Sequence, residues 1–328
     1  MTKKIIKLVA LCTILILVLS SIGCRAKRAP VPPEQQQDVK PDIPEQIRRG
    51  PNQEPRLKVY LTDEKTVKEM NFEEYLYGVV AGEMKNTWPE EALAAQAIIA
   101  RTFVLNFVSE KGGSKYQDAD ISSDIEEAQA WNAEEVNDRV KKAVNDTRGE
   151  AIVYNNKFIN AWFHAHAGGK TATAKEGLNF QDQEPPYIHV VDSPDSPEAP
   201  EEDSNWSAEY TKQEIINALN AKGLQVEDFG GITISQRGPS GRATMIKFGE
   251  EEHPAAEVRL ALDSTKMKST LIDEISLQGD KVVIRGRGYG HGVGMSQWGA
   301  FAMAKQGKSS EDIINHYFKN VRVVKMWE

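Results

Sequence analysis

The sequence predicts an α+β fold, arranged as a single large mixed domain, or two intimate lobes, of helices and antiparallel hairpins. Stretches with helical spacing and stretches of alternating apolar residues follow one another without the regular strand–helix alternation of a doubly wound sheet. Turn sequences at Asn155-Asn156 and at Gly238–Gly241 each join two strand-like segments. Strands joined by such short turns pair antiparallel, which favours the α+β class.

The N-terminus has the pattern of an export signal. Lysines precede an apolar run from Leu8 to Ile22, which is short for a membrane span of ~20 residues unless it is counted from Ile5. Ile22-Gly23-Cys24 resembles a bacterial lipobox, whose cysteine is lipidated. Residues 1–24 are therefore predicted to place the protein outside the cytoplasm, tethered to the membrane either by an uncleaved signal anchor or by a lipidated Cys24.

Residues 25–57 are predicted to form a tether, because they are rich in proline, glutamine and charge and have too few large apolar side chains for a core. The folded domain is then residues 58–328. Cys12 and Cys24 are the only cysteines, so this domain has neither a disulfide nor a thiolate metal ligand. The net charge is −8 although the first thirty residues carry no acid, and so acidic a domain argues against binding nucleic acid.

Capping residues and glycines mark the helices of the domain. Asn71 and Glu74 have the spacing of a capping box and open a helix that ends near Gly82, and a longer helix runs from Thr87 to Gly112. Further helices are predicted at 132–149, 211–223, 255–262, 295–305 and 309–318. Strands are predicted at 58–62, 150–154, 157–165, 185–191, 232–234, 243–248, 270–277, 281–285 and 321–326.

Glu83 is the acidic residue that its surroundings single out. It lies in the short connection between the first two predicted helices and has Val80, Met84 and Trp88 as apolar neighbours. Burial among such side chains raises the pKa of a carboxyl group, and a raised pKa suits a general acid at neutral pH. The alternative is a solvated loop acid or a cap of the next helix.

The segment Gly286–Gly294 has glycine at every second position, between a predicted strand and a predicted helix. Without side chains there, its backbone N–H groups are expected to lie open to an extended polar ligand. No G-x-G-x-x-G register fits the segment, which argues against a nucleotide phosphate loop. A purely structural tight turn is the remaining alternative.

His164 and His166 alternate with apolar residues at the end of the predicted strand 157–165, so their imidazoles are expected to share one face. Such a pair could hold a metal ion with a third ligand from His189, His291 or a carboxylate. We favour hydrogen-bonding roles at the mouth of a cleft, and predict no metal and no cofactor.

Separate blocks of the domain together resemble one known family. The blocks are Gly78–Met84 with Trp88–Thr102, Phe163-His164 with Gly168–Thr171, Pro186-Tyr187, and Gly286–Ala300. Over residues 58–326 the chain resembles the stage II sporulation protein D family, which consists of membrane-anchored lytic transglycosylases. These enzymes cut peptidoglycan glycan strands that lack stem peptides during forespore engulfment, beside a partner amidase and a membrane partner. The resemblance implies the same substrate and partners here.

The resemblance also implies roles for single residues. The catalytic acid of the family corresponds to Glu83 and a functional arginine to Arg101. A tyrosine and a lysine of the family correspond to Tyr187 and His189, and His189 is a departure because imidazole is only partly charged at neutral pH. Some members bind zinc through histidine and cysteine, but the cysteines are missing here, so zinc is not expected.

One acid is sufficient for this chemistry, because the attacking group is the C6 hydroxyl of N-acetylmuramic acid itself. Glu83 is predicted to protonate the leaving oxygen and then to accept the hydroxyl proton as the 1,6-anhydro ring closes. The side chains predicted to bind the glycan are Arg101, His164, Tyr187, His189, His291, Ser296 and Gln297. The alternatives are a non-catalytic wall-binding module that stimulates an amidase, and a metal-dependent hydrolase that uses His164 and His166.

Overall fold

A computed structural model describes residues 39–328, so the predicted signal and the first part of the predicted tether lie outside the described residues. The described chain combines helices with mainly antiparallel sheets, which confirms the predicted α+β class. In chain order the elements are β1 (Arg56–Leu61), β2 (Thr66–Asn71), α1 (Phe72–Glu83), α2 (Glu90–Lys111), β3 (Ile121–Ser122), α3 (Asp138–Asp146), β4 (Glu150–Tyr154), β5 (Lys157–Phe158), β6 (Phe163–His164), α4 (Ala174–Leu178), α5 (Glu201–Ser204), β7 (Asn205–Thr211), α6 (Lys212–Ala221), β8 (Ile232–Arg237), β9 (Ala243–Phe248), β10 (Glu251–Pro254), α7 (Ala255–Ala261), β11 (Ile272–Gln278), β12 (Lys281–Arg287), β13 (Met295–Ser296), α8 (Gln297–Lys305), α9 (Ser310–Tyr317) and β14 (Arg322–Lys325).

The first hydrophobic core contains both ends of the described chain. The long helix α2 lies at its centre and packs against α1, α3, α8, α9 and β4. Among residues 39–328, α2 is the only helix long and apolar enough to cross a membrane, and 83% of its apolar window is buried inside the domain. Its hydrophobicity is therefore that of a core helix surrounded by other elements.

Residues 206–284 build a second hydrophobic core. It consists of the antiparallel sheets β11–β12–β7 and β10–β9–β8 together with α6 and α7. Helix α6 begins as predicted, because Thr211 and Glu214 form a complete capping box. The chain thus leaves the first core before β7 and returns to it after β12.

A buried hydrogen-bond network ties the second core to the first. The Glu176 carboxylate on α4 accepts hydrogen bonds from Ser240 Oγ (2.7 Å) and from the backbone N–H of Arg242 (3.1 Å). The Arg242 guanidinium in turn donates to the carbonyl groups of Ala167 (2.6 Å) and Lys170 (2.8 Å). Because Arg242 is fully buried, these bonds hold the second core firmly against the turn at Ala167–Lys170.

Residues 40–55 pack against the domain, and the predicted tether boundary at residue 57 is corrected accordingly. Ile47 is only 2% exposed within the first core. The Glu54 carboxylate accepts the backbone N–H of Glu73 at 2.8 Å. A segment poor in apolar residues can still be ordered when one buried side chain and several hydrogen bonds anchor it.

Other boundaries differ from the predicted ones where tertiary contacts override local pattern. Helix α3 begins after its cap Asn137, later than expected. The strand predicted at 157–165 stops at Phe158, because the chain then turns and β6 pairs in parallel with β13. The predicted strand 185–191 makes only the isolated bridge between Ile188 and Phe318.

Candidate active site

Glu83 is the last residue of α1. The helix ends because Met84 adopts an extended conformation, with its backbone N–H still donating to the carbonyl of Val80 at 3.0 Å. The chain then turns through Trp88, and Pro89 precedes the first residue of α2. Proline has no N–H and keeps its preceding residue out of the helix, so the two helices meet at a fixed corner. Glu83 lies at this corner, as predicted.

Two glycines one turn apart on α1 explain the burial of Glu83. A Cβ at Gly78 would come 2.2 Å from Nε1 of Trp131, and one at Gly82 would come 2.8 Å from the backbone of Ala130. The chain at Ala130 therefore approaches the helix more closely than any side chain would allow. This approach brings the Ala130 N–H to within 2.7 Å of Glu83 Oε1.

Burial raises the pKa of Glu83 from 4.5 to about 7. Loss of water around the carboxylate is the largest cause, and hydrogen bonds from Ala130 and Gln297 offset only part of it. The residue still keeps some exposure to solvent. A partly exposed carboxyl that is about half protonated at neutral pH can both donate and accept a proton.

Gln297 follows Glu83 by 214 residues in the sequence but contacts the end of α1. Its Nε2 donates to the Glu83 carbonyl oxygen at 3.1 Å. Ser296 fixes the position of Gln297, the first residue of α8, because Ser296 Oγ caps this helix by accepting the Gly299 N–H at 3.2 Å. Ser296 also donates to Asp195 at 2.6 Å and is fully buried. The prediction that Ser296 contacts the glycan is therefore corrected, since its role here is to orient the start of α8.

The glycine-rich segment Gly286–Gly294 does not present an open backbone, which corrects the expectation of an exposed ligand surface. A Cβ at Gly294 would come 2.0 Å from the carbonyl oxygen of Trp162, and one at Gly292 would come 2.5 Å from the Arg242 guanidinium. Both glycines have positive φ angles, 73° and 82°. Glycine is needed at both positions for close packing and for the backbone conformation. The segment therefore has the structural role of a tight turn, which was the alternative to an exposed ligand surface.

His291 belongs to this segment, and the imidazoles of His164 and His166 lie close to it. Nδ1 of His164 lies 3.2 Å from a backbone carbonyl and so carries the proton, and the ring centre of His164 lies 5.7 Å from that of His291. His166 Nδ1 accepts the Gly168 N–H at 3.0 Å. Burial lowers the pKa of His164 and, aided by nearby arginines, brings that of His291 to about 3, so both rings are neutral at physiological pH.

These imidazoles do not form a set of metal ligands. The Nδ1 lone pairs of His166 and His291 already accept backbone N–H groups, both at 3.0 Å. Within residues 39–328, no three or more side chains of His, Cys, Asp or Glu are grouped so that they could hold an ion. The donor groups present in the described chain thus do not fit the metal-dependent alternative.

Tyr187 and His189 have their own partners elsewhere in the first core. The Tyr187 hydroxyl accepts the Asn160 N–H at 2.9 Å, and His189 Nε2 lies 3.2 Å from the His316 carbonyl oxygen. Burial lowers the pKa of His189, so this ring lacks the charge that a lysine would carry. In the part of the chain that the structure describes, no hydrogen bond joins either residue to Glu83, and their contact with glycan stays a prediction.

Arg101 lies inside the protein, and its predicted contact with the glycan is corrected. Its side chain is fully buried, and two of its nitrogens contact the Glu73 carboxylate at 3.1 and 2.5 Å. The third nitrogen donates to the Glu150 carbonyl at 2.9 Å. Glu73 also accepts the Gly149 N–H and the Trp327 indole N–H, both at 3.0 Å. A guanidinium with every nitrogen bonded inside the core supports the fold.

A groove of about 450 Å³ lies at the corner between α1 and α2, and we call it the aromatic groove. The ring centre of Trp88 lies 4.5 Å from that of Trp298 and 5.0 Å from that of Phe301. The other lining residues are Lys85, Thr87, Pro89, Arg139, Glu198 and Lys305.

Sequence reasoning missed the aromatic groove and Asp195. Trp88 and Trp298 both occur in the blocks that carry the family resemblance, but only the structure shows that their rings meet. Asp195 lies in a loop whose acidic, proline-containing composition is that of a solvated segment. Its side chain is only 4% exposed and accepts hydrogen bonds from Ser296 Oγ (2.6 Å) and the Gly169 N–H (2.9 Å).

Comparison with known proteins gives two family matches in the described chain. The SpoIID family, described as stage II sporulation protein, matches residues 60–154, which include Glu83. A domain of unknown function (DUF8618) matches residues 179–294, which include Tyr187, His189 and the whole glycine-rich segment Gly286–Gly294.

Individual relatives cover most of the chain. An uncharacterized protein of Brachyspira hyodysenteriae is 33% identical over 259 residues, covering 79% of this chain and 68% of that protein. Stage II sporulation protein D of Bacillus subtilis is 31% identical over 279 residues, covering 81% of this chain and 78% of that protein. The amidase enhancer of Bacillus subtilis is 28% identical over 293 residues, covering 74% of this chain and 39% of that protein.

Proposed function

The chain belongs to the stage II sporulation protein D family, and we propose that it is an endo-acting lytic transglycosylase of peptidoglycan. Family membership itself supports a role at the cell wall in sporulation. We propose more specifically that it cuts glycan strands, preferably those lacking stem peptides, and leaves 1,6-anhydro-N-acetylmuramic acid ends during engulfment. The observation that carries this proposal is the partly exposed Glu83, whose pKa is raised to about 7.

In the proposed reaction Glu83 acts first as an acid and then as a base. Its protonated carboxyl donates to the glycosidic oxygen while the bond from that oxygen to C1 of N-acetylmuramic acid breaks. The C6 hydroxyl of the same sugar bonds to C1, and the Glu83 carboxylate accepts the hydroxyl proton. Glu83 is thereby returned to its protonated form, and neither water nor a second carboxylate takes part, unlike in an ordinary glycosidase.

The surroundings of Glu83 support this assignment. The Ala130 N–H holds Oε1 at 2.7 Å, which orients the carboxyl, and Gln297 fixes the end of the helix that carries it. We propose that the aromatic groove at the corner between α1 and α2 holds part of the glycan strand. We propose that Gln297 and the partly exposed His291 contact the sugar near the cleaved bond.

The remaining predicted residues enter the proposal with different roles. His164 is 4% exposed, and its buried ring packs close to that of His291, so we propose that it positions His291. Tyr187 and His189 are proposed to contact the strand farther from the cleaved bond. The protein is proposed to act outside the cytoplasm, tethered by its N-terminal segment, with a cell-wall amidase and a membrane protein as partners.

The test compares two carboxamide variants of the full chain on glycan strands without stem peptides. Glu83→Gln is expected to lower the formation of anhydro-muramyl products by at least about 100-fold, the usual contribution of general acid catalysis. Glu74→Gln is the matched control, because Glu74 is an exposed carboxylate of the same helix, and it should retain activity. Products that persist undiminished in Glu83→Gln would overturn the proposal.

A second candidate function is supported by the relative named amidase enhancer. In this alternative the chain binds the wall without cutting it and raises the activity of an amidase. The two functions differ in one measurement, the release of stem peptides by a purified cell-wall amidase in the presence of this protein. Equal stimulation by the unsubstituted chain and by Glu83→Gln, with no anhydro products from either, would establish the binding module.

A further inference from the structure

Asp195 has a buried carboxylate to which the proposed reaction assigns no role. Its side chain is 4% exposed. Its oxygens accept four hydrogen bonds, from Ser296 Oγ (2.6 Å), Ser193 Oγ (2.9 Å), the Gly169 N–H (2.9 Å) and the Ala167 N–H (3.4 Å). A carboxylate has about four positions at which it can accept a hydrogen bond, so four donors hold this one in a single place.

The charged and titratable groups around Asp195 leave its carboxylate to these neutral donors. His166 Nδ1 lies 3.6 Å from Asp195 Oδ2, but this nitrogen accepts the Gly168 N–H at 3.0 Å and so carries no proton. Burial lowers the pKa of His166, which keeps the ring neutral at physiological pH. The Arg242 guanidinium donates to two carbonyl groups of the turn Ala167–Lys170. Asp195 thus holds this turn by its N–H groups, and Arg242 holds it by its carbonyl groups.

Ser296 connects Asp195 to the start of α8. The Ser296 hydroxyl donates to Asp195, and its oxygen accepts the Gly299 N–H at 3.2 Å. The Ala165 carbonyl is the other acceptor near this hydroxyl, but at 3.5 Å it is too far for a strong hydrogen bond. Asp195 therefore directs the hydroxyl proton, and a lone pair of Ser296 Oγ remains for the helix cap.

Ser193 forms a second connection between Asp195 and α8. Ser193 Oγ donates to Asp195 and therefore accepts the Tyr317 hydroxyl, which lies 2.9 Å away. A Cβ at Gly299 would overlap the Tyr317 hydroxyl and would come 2.6 Å from Ser193 Oγ. Because Gly299 has no side chain, the first turn of α8 packs directly on these two hydroxyl groups.

The first residue of α8 is Gln297, whose side chain contacts the end of α1. Gln297 Nε2 donates to the Glu83 carbonyl at 3.1 Å, and its amide also opposes the rise in the pKa of the Glu83 carboxyl. A hydrogen bond of this length is lost when its partners separate by about 0.5 Å. The contact with Glu83 is therefore sensitive to small movements of the start of α8.

We propose that Asp195 is a positioning residue for Glu83 and acts through Ser296 and the start of α8. The inference rests on the proposed function, because it concerns the acid of that reaction. In this role Asp195 does not touch the glycan. It keeps the Gln297 side chain within hydrogen-bond distance of the end of α1.

The test measures the pKa of Glu83 without substrate, by carboxyl-carbon NMR of the full chain. Glu83→Gln identifies the Glu83 signal by removing it. Asp195→Ala should raise the Glu83 pKa by about 0.5–1, because the opposing hydrogen bond from Gln297 is worth about 1 kcal/mol. Asp195→Asn should give a smaller rise, because its amide oxygen still accepts from Ser296 while its amide nitrogen cannot accept the Gly169 N–H.

The matched control is Asp192→Ala, three residues away in the same loop, where the Asp192 side chain is 91% exposed. This variant should leave the Glu83 pKa unchanged. Ser296→Ala should raise the pKa as Asp195→Ala does, and the double variant should add little, because both changes break one connection. An unchanged Glu83 pKa in Asp195→Ala, or an equal rise in Asp192→Ala, overturns the inference.

The variants are expected to fold, because the Trp298 N–H still holds the first turn of α8 to the Ala165 carbonyl at 3.0 Å. Near-ultraviolet circular dichroism checks this. If Asp195→Ala does not fold, Asp195→Asn and Ser296→Ala decide by the same measurement, and an unchanged Glu83 pKa in both overturns the inference.

Kinetics on peptide-free glycan then separate positioning from mere support of the fold. In Asp195→Ala we expect kcat to fall about 10–100-fold with KM little changed, and the alkaline limb of the pH–rate profile to move with the Glu83 pKa. Loss of stability alone would leave that limb in place.

The outcome is separable from that of the proposed function. Anhydro products from the unsubstituted chain, with an unchanged Glu83 pKa in Asp195→Ala, refute the role of Asp195 and leave the transglycosylase intact. A raised Glu83 pKa in Asp195→Ala, with no products from the unsubstituted chain, supports the connection from Asp195 to Glu83 and refutes the reaction.

Discussion

The side-chain amide of Gln297 donates to the backbone carbonyl of Glu83 at 3.1 Å and so joins the start of α8 to the end of α1. The last carbonyl groups of a helix have no partner within the helix, and Gln297 supplies one from a distant part of the chain. The same amide side chain also opposes the rise in the pKa of the Glu83 carboxyl. The catalytic proposal therefore depends on two helices, and each can be tested by substitution.

Activity should depend on pH through Glu83. Its pKa of about 7 means that the protonated acid needed for the first step disappears above neutral pH. We expect kcat/KM to fall about tenfold per pH unit above pH ~7. The pH–rate profile on peptide-free glycan measures this limb, and a profile that stays flat to pH 9 would contradict the assignment of Glu83 as the acid.

Protonation of Glu83 should also be visible in stability. The pKa is about 7 in the folded protein, above the ordinary 4.5, so the folded state holds a proton that the unfolded state loses. Its stabilising contribution is complete below pH ~4.5 and is lost as pH rises to ~7, with a size on the order of 3 kcal/mol. Urea unfolding of the parent and of Glu83→Gln between pH 4.5 and 8 measures the difference, which should grow in favour of Glu83→Gln as pH rises.

Gln297→Glu should move the alkaline limb of the pH–rate profile. A carboxylate next to Glu83 disfavours its ionised form, so its pKa should rise and the limb should shift to higher pH by about 1. Gln306→Glu, the same change at the exposed far end of α8, is the control and should leave the limb in place. An unshifted limb in Gln297→Glu would show that the two side chains do not interact in solution.

Gly82→Ala should destabilise the protein, although alanine is the better helix former by about 1 kcal/mol. The new Cβ would lie 2.8 Å from the Ala130 backbone, and displacing that segment should cost about 1–3 kcal/mol in the free energy of unfolding. Displacement also weakens the Ala130 N–H bond to Glu83, which raises the Glu83 pKa further. Denaturant unfolding and the pH–rate profile measure the two effects.

Gly230→Ala is the control for that substitution. A Cβ at Gly230 meets nothing within 4 Å, so this variant should unfold like the parent. If Gly82→Ala were as stable as Gly230→Ala, the close approach of Ala130 to α1 would be refuted.

Arg101→Met should act on stability rather than on substrate binding. It leaves Glu73 buried without its cationic partner, and breaking such a pair costs about 3–5 kcal/mol. Arg49→Met, at an exposed arginine, should change the free energy of unfolding by less than about 0.5 kcal/mol. Thermal unfolding gives the stability, and kinetics below the midpoint give KM. A raised KM in stably folded Arg101→Met would restore a role in glycan binding.

The sequence alone determined the features that depend on local chemistry. The α+β class, the α6 capping box of Thr211 and Glu214, and the end of α1 at Glu83 follow from spacing, caps and glycines within a few residues of each other. Motif resemblance identified the family through Glu83 and its neighbouring blocks.

Only the tertiary structure decided what those residues touch. Arg101 and Ser296 lie within matching blocks, yet both are fully buried against Glu73 and Asp195, and no spacing along the chain could reveal that. The alternating glycines looked like exposed backbone, whereas Gly292 and Gly294 are required by the approach of Arg242 and Trp162. The desolvation that raises the pKa of Glu83 comes from segments about 50 and 200 residues away, because burial is a property of packed neighbours and not of sequence order.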